Sequence, residues 1–150
     1  MAGDSCKVST LKNCKFDTAF LSCRDKNSSI IVGSNLDSQQ RLFIDSMEGC
    51  AIRLGNDNLI AYDVEIRNND GHSILDLSGN RLNPAKDVQI GDHCWICQDV
   101  VILKGVTIPN DCVIGAKSLV TKTFETENSI IIGSPAVQRK VGINWDNQRI

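Results

Sequence analysis

Aliphatic residues recur every six positions between Val88 and Thr123, and this period restricts the possible folds more than any other feature of the chain. From Ile90 the series runs through Ile96, Ile102, Ile108 and Ile114 to Val120, and four residues after each of the first five stand Cys94, Val100, Val106, Cys112 and Ser118. A helix repeats its apolar face every 3.6 residues and a half-buried strand every 2, so neither generates a strict six. A short strand alternating inward and outward, then a corner, does generate it. Such units bury their apolar faces only by stacking on one another. Each inward aliphatic contributes roughly 1.5–3 kcal/mol when fully buried. Gly91-Asp92, Gln98-Asp99, Lys104-Gly105 and Asn110-Asp111 fall at the corners and suit turns. The inward Cys and Ser side chains are small, as a narrow prism requires. The expected fold class is all-β, a solenoid of stacked parallel strands.

With 150 residues, one domain is expected. Residues 1–29 show no sixfold phase and read as an N-terminal arm covering the open end of the solenoid, whose strand edges would otherwise lie bare. The solenoid is expected over 30–133. Its phase is clean at Leu54, Ile60 and Ile66, with Asn58, Val64 and Asp70 at the accompanying positions. Counting on by sixes gives His72, Ser78 and Pro84 before Ile90. Three steps without an aliphatic predict an excursion loop over 73–87. Ile132, three sixes after Ile114, restores the phase. Ser134-Pro135 then stops the strand, and Val137, Val141 and Trp145, spaced at four, predict a short helix in the C-terminal segment 134–150.

The formal charge of −2 and an aromatic content of 5% offer neither the electrostatic attraction nor the stacking surface that nucleic acid requires. No apolar run is long enough to cross a membrane, and the opening MAGDSCKVSTLKNCKFD lacks the apolar core of a signal peptide, so a cytoplasmic location is expected. The seven cysteines are then expected to be small buried or half-buried thiols. Cys94-x-x-Cys97 is half a zinc site, but no second pair follows at ligand spacing. Cys94 faces inward and Cys97 lies at a corner, so no metal is expected.

The stretch IGDHCWICQDVVILKGVTIPNDCVIGAKSLVTK, followed by IIIGSPA, resembles the hexapeptide-repeat acyltransferases, and most of all their polysaccharide and sugar O-acetyltransferases. The resemblance implies a left-handed parallel β-helix, three hexapeptides to a triangular coil. The left hand comes from the resemblance alone, since the usual rule for parallel crossovers favours the right. It also implies homotrimers with active sites between subunits, and acetyl-CoA as acyl donor.

The resemblance directs attention to His72. In related acetyltransferases a histidine in a similar Asp-Gly-His or Gly-His setting, just before an excursion loop, is the general base. An acceptor hydroxyl is a poor nucleophile at neutral pH, and an imidazole with an ordinary pKa of about 6.5 can remove its proton during attack on a thioester. Asp70 is a candidate to orient or polarise His72, or equally to form an Asx turn before Gly71. Trp95, outward-facing, matches a tryptophan that lies beside the catalytic histidine and the acyl-donor channel in those enzymes. His93 occupies a corner and reads as structural or exposed.

By the same resemblance the pantetheine arm of coenzyme A would run along successive coils at Cys97 and Gln98, at Gly115 and Ala116, and at Thr121 and Lys122. Arg139 and Lys140 are candidates for the nucleotide phosphates, which call for cations, or equally are solvated charges of the terminal helix. Two departures stand out: Cys97 replaces a glycine common after Trp-Ile, and Phe124-Glu125-Thr126-Glu127 replaces a frequent proline pair.

The expected activity is direct acetyl transfer from acetyl-CoA to a carbohydrate hydroxyl, on a polysaccharide, lipopolysaccharide or sialic acid type acceptor. Two alternatives stand beside it: an N-acyltransferase of an amino sugar or nucleotide sugar, and a non-catalytic trimeric scaffold or binding module.

Overall fold

The structure is a computed structural model that describes residues 5–150. Five triangular coils stack into a left-handed parallel β-helix. The first coil comprises β1 (Lys7–Thr10), β2 (Lys15–Phe16) and β3 (Ala19–Cys23). The second comprises β4 (Ser29–Val32), β5 (Asp37–Ser38) and β6 (Leu42–Ser46), and the third β7 (Ala51–Leu54), β8 (Leu59–Ile60) and β9 (Glu65–Arg67). Then come β10 (Val88–Ile90), β11 (Trp95–Ile96) and β12 (Val101–Ile102), and β13 (Thr107–Ile108), β14 (Val113–Ile114) and β15 (Leu119–Val120). Face A carries the first strand of each coil, face B the second and face C the third.

Parallel register puts equivalent residues one above another. Ile60, Ile96 and Ile114 align on face B, Ile66, Ile102 and Val120 on face C, and Leu54, Ile90 and Ile108 on face A. All are buried. The second inward position of each unit is buried too, at Cys94, Val100, Val106, Cys112 and Ser118. Asn58 at such a position is satisfied across coils: its Nδ2 donates to the Gly55 and Gly91 carbonyls at 3.1 Å, and its Oδ1 accepts from Cys94 N at 2.7 Å. The corners adopt positive φ, as at Asn35, Asp57, Asp99 and Asp111, a region in which Asn and Asp are enriched. Gly55 is needed for another reason. A Cβ there would lie 2.6 Å from the Gly91 carbonyl oxygen of the next coil.

Four expectations need correction. Residues 7–23 are not an arm but the first coil of the prism, β1, β2 and β3 pairing in parallel with β4, β5 and β6. The sixfold phase is invisible there because equivalent residues of the early coils stand 22 apart, or 23 between β3 and β6, rather than 18. Among the described residues no coil lies beneath the first, and Val8 is 46% exposed. Second, Cys6 and Cys23 form a disulfide that joins the two ends of this coil, leaving five cysteines free.

Third, Ile131 rather than Ile132 continues the column above Ile114, because the chain reaches face B one residue early. Ile132 is 37% exposed and lies over Gly115, where an added Cβ would meet its Cγ1 at 2.6 Å. Fourth, the C-terminal segment holds no helix. Ala136–Val141 is β17, antiparallel to β16 (Ser129–Gly133). That pairing covers the last strand edge of face B, and Val137 and Val141 suit a strand.

The excursion leaves the prism after Arg67, earlier than expected, and returns at Val88. Asn68 and Asn69 are still buried, with Asn68 Nδ2 donating to Ser46 Oγ at 2.9 Å. The loop stays at the corner between faces C and A. Arg81 makes a two-pronged ion pair with Glu48 in the coil below, at 2.9 and 2.6 Å. Asp70 pairs with Lys104 in the coil above, and Lys104 also donates to the Asn83 carbonyl at 3.1 Å. On the return, Asp87 accepts from Ala51 N at 2.8 Å and from Arg53 at 3.0 Å. The hydrogen bond from Lys104, with help from Asn83, holds the Asp70 carboxyl below the usual carboxylate range despite partial desolvation.

Two outcomes follow from this packing. Ile102→Ala is expected to lower the unfolding free energy by about 2–5 kcal/mol, measured by denaturant titration; a loss below about 1 kcal/mol would contradict a close-packed column. Because the folded pKa of Asp70 is depressed, the stabilisation from its pair with Lys104 is fully present above the ordinary carboxylate pKa and is lost as pH falls through the lowered value. Lys104→Met is expected to move the Asp70 titration upward toward the ordinary range, read by carboxyl carbon-13 shifts.

Candidate functional site

His72 lies at the root of the excursion loop and is exposed. Its backbone is held by Asn83, whose Nδ2 donates to the His72 carbonyl at 2.9 Å and to Asp70 Oδ2 at 2.8 Å. Asn83 Oδ1 in turn accepts from Ile74 N at 2.6 Å. The Asp70 carboxylate is therefore engaged by Asn83 and Lys104. It reaches His72 through Asn83, as a positioning element for the backbone rather than a partner of the ring. The Asx turn belongs to Asn69, whose Oδ1 accepts from Gly71 N at 3.0 Å. Asn83 is 7% exposed, and its sequence neighbours gave no sign of this bridging role.

Trp95 is an outward residue of face B, on β11, 36% exposed. Beside it a groove of about 440 Å³ runs along the edge between faces B and C, lined by Tyr62, Trp95, Cys97, Gln98 and Ala116. Three of the residues expected along the thiol arm, Cys97, Gln98 and Ala116, thus meet Trp95 in one channel, contributed by successive coils. Gly115 adjoins Ala116 beneath Ile132. Cys97 is half-buried and burial pushes its thiol pKa up; Cys94, inside the prism, is pushed up to about 12 by burial. The two thiols diverge, and among the described residues no cluster of three or more His, Cys, Asp or Glu is arranged to hold a metal.

The remaining residues lie elsewhere. Thr121 and Lys122 follow β15 at the corner between faces C and A, with Lys122 Nζ 5.5 Å from the centre of the Phe124 ring. They share that corner with His72, not with the groove. Arg139 and Lys140 are exposed on β17 at the upper end of face B. Within one chain the expected site residues therefore form two groups. His72 and its supports occupy the corner opposite face B, and Trp95 with the groove occupies face B and its edge.

Tyr62 could have been found from the sequence. The excursion conserves the phase, since Asn58 and Cys94 are equivalent and 36 residues apart, so the same step back from Gln98 lands on Tyr62. His93 is half-exposed, as a corner residue should be, and its Nδ1 lies 2.8 Å from Asp111 Oδ1. Its ring stacks on Trp145, with centroids 4.3 Å apart and planes at 11°, a contact between distant residues that no local pattern indicates.

The family of bacterial transferase hexapeptides (six repeats) matches residues 87–122. A polysialic acid O-acetyltransferase of Escherichia coli O1:K1 is 35% identical over 97 residues, 64% of this chain and 31% of the relative. The crystal structure of the polySia specific acetyltransferase NeuO superposes with a TM-score of 0.83 at 32% identity, over 94% of this chain and 64% of that one. A galactoside acetyltransferase in complex with coenzyme A gives a TM-score of 0.70 at 28% identity, over 88% of this chain and 64% of that one. The chain thus spans about a third of the length of this curated relative. The sixfold repeat and the triangular coils thus match, over residues 87–122, the hexapeptide-repeat transferase model, and the fold is that of the hexapeptide-repeat acetyltransferases to which the chain is similar.

Proposed function

We propose that the protein transfers an acetyl group directly from acetyl-CoA to a hydroxyl of a carbohydrate, with sialic acid polymers the first acceptors to consider. The observation that carries this reading is the groove along the edge between faces B and C, where Trp95, Cys97, Gln98 and Ala116 from successive coils line a channel parallel to the prism axis. A channel of that shape suits an extended, amide-linked thiol arm. Likeness to polysialic acid O-acetyltransferases, in sequence and in fold, supports the acceptor class. His72 would take the hydroxyl proton as the oxygen attacks the thioester carbonyl, and would return it to the departing thiolate. Trp95 would wall the acetyl end of the donor.

The two groups of residues meet only if the corner carrying His72 packs against the grooved edge of a second copy, and a closed ring of three makes that contact at every interface. The exposed aliphatic side chains of the loop support such a contact: Ile74, Leu75 and Leu82 are 57%, 55% and 61% exposed and Leu77 is fully so. An apolar cluster of that kind on a polar loop marks an interaction surface.

Thioester consumption measured against a panel of oligosialic acids, neutral sugars and amino sugars tests the assignment. Ester formation on a sugar hydroxyl is expected, and an amide product would instead support the N-acyl reading. His72→Ala is expected to lower turnover at least about a hundredfold with no change in oligomeric mass. Equal turnover of variant and wild type would exclude His72 as the base.

A further inference from the structure

We infer that the cavity between Trp95 and the C-terminal tail, residues 143–150, is the acceptor subsite: the indoles of Trp95 and Trp145 pack against the sugar ring, and Arg149 engages a carboxylate carried by that sugar. This rests on the reading of the donor groove given above and adds the acceptor's place beside it. After β17 the chain turns at Gly142, φ 71°, and Ile143 N donates to the Asn128 carbonyl at 3.0 Å. The tail then runs back down the prism, where Asp146 and Asn147 lie beside Asn35 and Asp57 of the second and third coils. It borders a cavity of about 280 Å³ over Leu59 and Trp95, walled by Trp145, Asn147, Gln148 and Arg149. Leu59, Trp95 and Arg149 line the donor groove as well. The cavity therefore adjoins the place assigned to the acetyl group, at the third and fourth coils, and not the upper end of face B.

Trp145 seats this segment. Its indole stacks on His93 at 4.3 Å, and its Nε1 donates to the His93 carbonyl at 2.7 Å. His93 is itself out of character for its place. The corner column around it runs Asn13, Asn35, Asp57 and Asp111, all at positive φ, and His93 interrupts the series with φ 51°. An imidazole braced by Asp111 adds a flat plate that Asn or Asp could not supply, and Trp145 uses it. The corner is thus adapted to hold the tail across face B.

The chemistry of the walls indicates what the tail is held for. The indoles of Trp95 and Trp145 stand 6.0 Å apart and inclined at 41°, a bent apolar surface that suits the C–H face of a pyranose. Asn147 and Gln148 bring amides for its hydroxyls, the few polar groups that fix a ligand on an apolar wall. Asp146 also borders the cavity, and its Oδ1 accepts from Gln148 N at 2.7 Å, fixing the turn that carries Arg149. Arg24, Arg41, Arg53, Arg67 and Arg81 are each paired with a carboxylate. Arg149 has no ion pair or hydrogen bond among the described residues. A guanidinium binds a carboxylate through two parallel N–H donors. Standing beside Trp95, at the acetyl end of the donor, it meets an anion of the acceptor, and an acidic sugar supplies both the ring and the carboxylate.

The test compares oligosialic acid with its carboxyl-reduced counterpart, in which each carboxylate is replaced by an alcohol, at fixed acetyl-CoA, in wild type, Arg149→Gln and Trp145→Ala. Wild type is expected to take the acidic acceptor at the lower KM. Arg149→Gln is expected to raise the KM for oligosialic acid on the order of tenfold, as loss of a charge-assisted hydrogen bond does. The KM for the reduced acceptor and the KM for acetyl-CoA should not respond. Trp145→Ala should raise the KM for both acceptors, because it removes the ring's wall and unseats Arg149 together. An unchanged KM for oligosialic acid in Arg149→Gln, an equal rise for both acceptors in that variant, or a rise confined to acetyl-CoA would each overturn the subsite while leaving the donor groove intact. A wild type that acetylates only neutral sugars would do the same. A wild type that neither transfers acetyl nor binds coenzyme A by calorimetry would overturn the groove reading together with it.

Discussion

Vertical alignment of like residues governs this protein. A narrow prism has no depth of core, so every inward side chain must be buried by its equivalents above and below. Ile60, Ile96 and Ile114 show the consequence, as does Ile131, which closes the face B column although it arrives one residue out of phase. The same constraint reaches the corners. Asn56 N donates to Asp92 Oδ1 at 2.7 Å and Asp92 N to Asn110 Oδ1 at 2.8 Å, so each turn is braced by the next coil's side chain. Because backbone amides, aliphatic columns and corner side chains all require the same register, a slip would break them together. A stack this cooperative can carry a long excursion without losing alignment.

The repeat made the middle of the chain readable because each six residues report the same local geometry. Where the coil length changed, legibility ended. The early coils hold the same fold at a spacing of 22 or 23 residues, and the extra residues hide the phase from any counting by sixes. The first coil is further disguised because its interior positions face solvent on one side among the described residues, so Thr10 can stand where the coils above have Val32 and Leu54. At the other end, four-residue spacing of Val137, Val141 and Trp145 mimicked a helix. An open strand edge at β16 decided the matter, and only tertiary structure reveals an open edge.

Candidate site residues were recoverable to the extent that they sit on the repeat. Trp95, Cys97, Gln98 and Ala116 come together because the phase that buries Ile96 and Ile114 also fixes what lies outward and at the following corner. Thr121 and Lys122 obey the same phase and for that reason fall on a different corner, one strand further round the prism. Residues that bridge long separations could not be read this way. Asn83 ties Asp70 to the His72 backbone, and Trp145 ties the tail to His93; neither belongs to a repeat.

The placing of the candidate residues on opposite sides of the prism, read with the proposed function, would reconcile features that otherwise conflict. The excursion loop is tightly fastened by Glu48, Lys104 and Asp87, yet it presents Ile74, Leu75, Leu77 and Leu82 to water. A loop meant only to cover its own corner would turn those side chains inward. One that delivers an imidazole to a second prism, as the proposed function requires, would need both properties: a rigid root, so that His72 arrives within about 0.5 Å of its working position, and an apolar tip that gains its burial on contact. The groove has the complementary incompleteness, with Trp95 and Tyr62 left partly bare beside neutral walls. On the proposed assembly each copy would hold half of two sites, and the stacking that makes a single prism stable would not by itself bring those halves together.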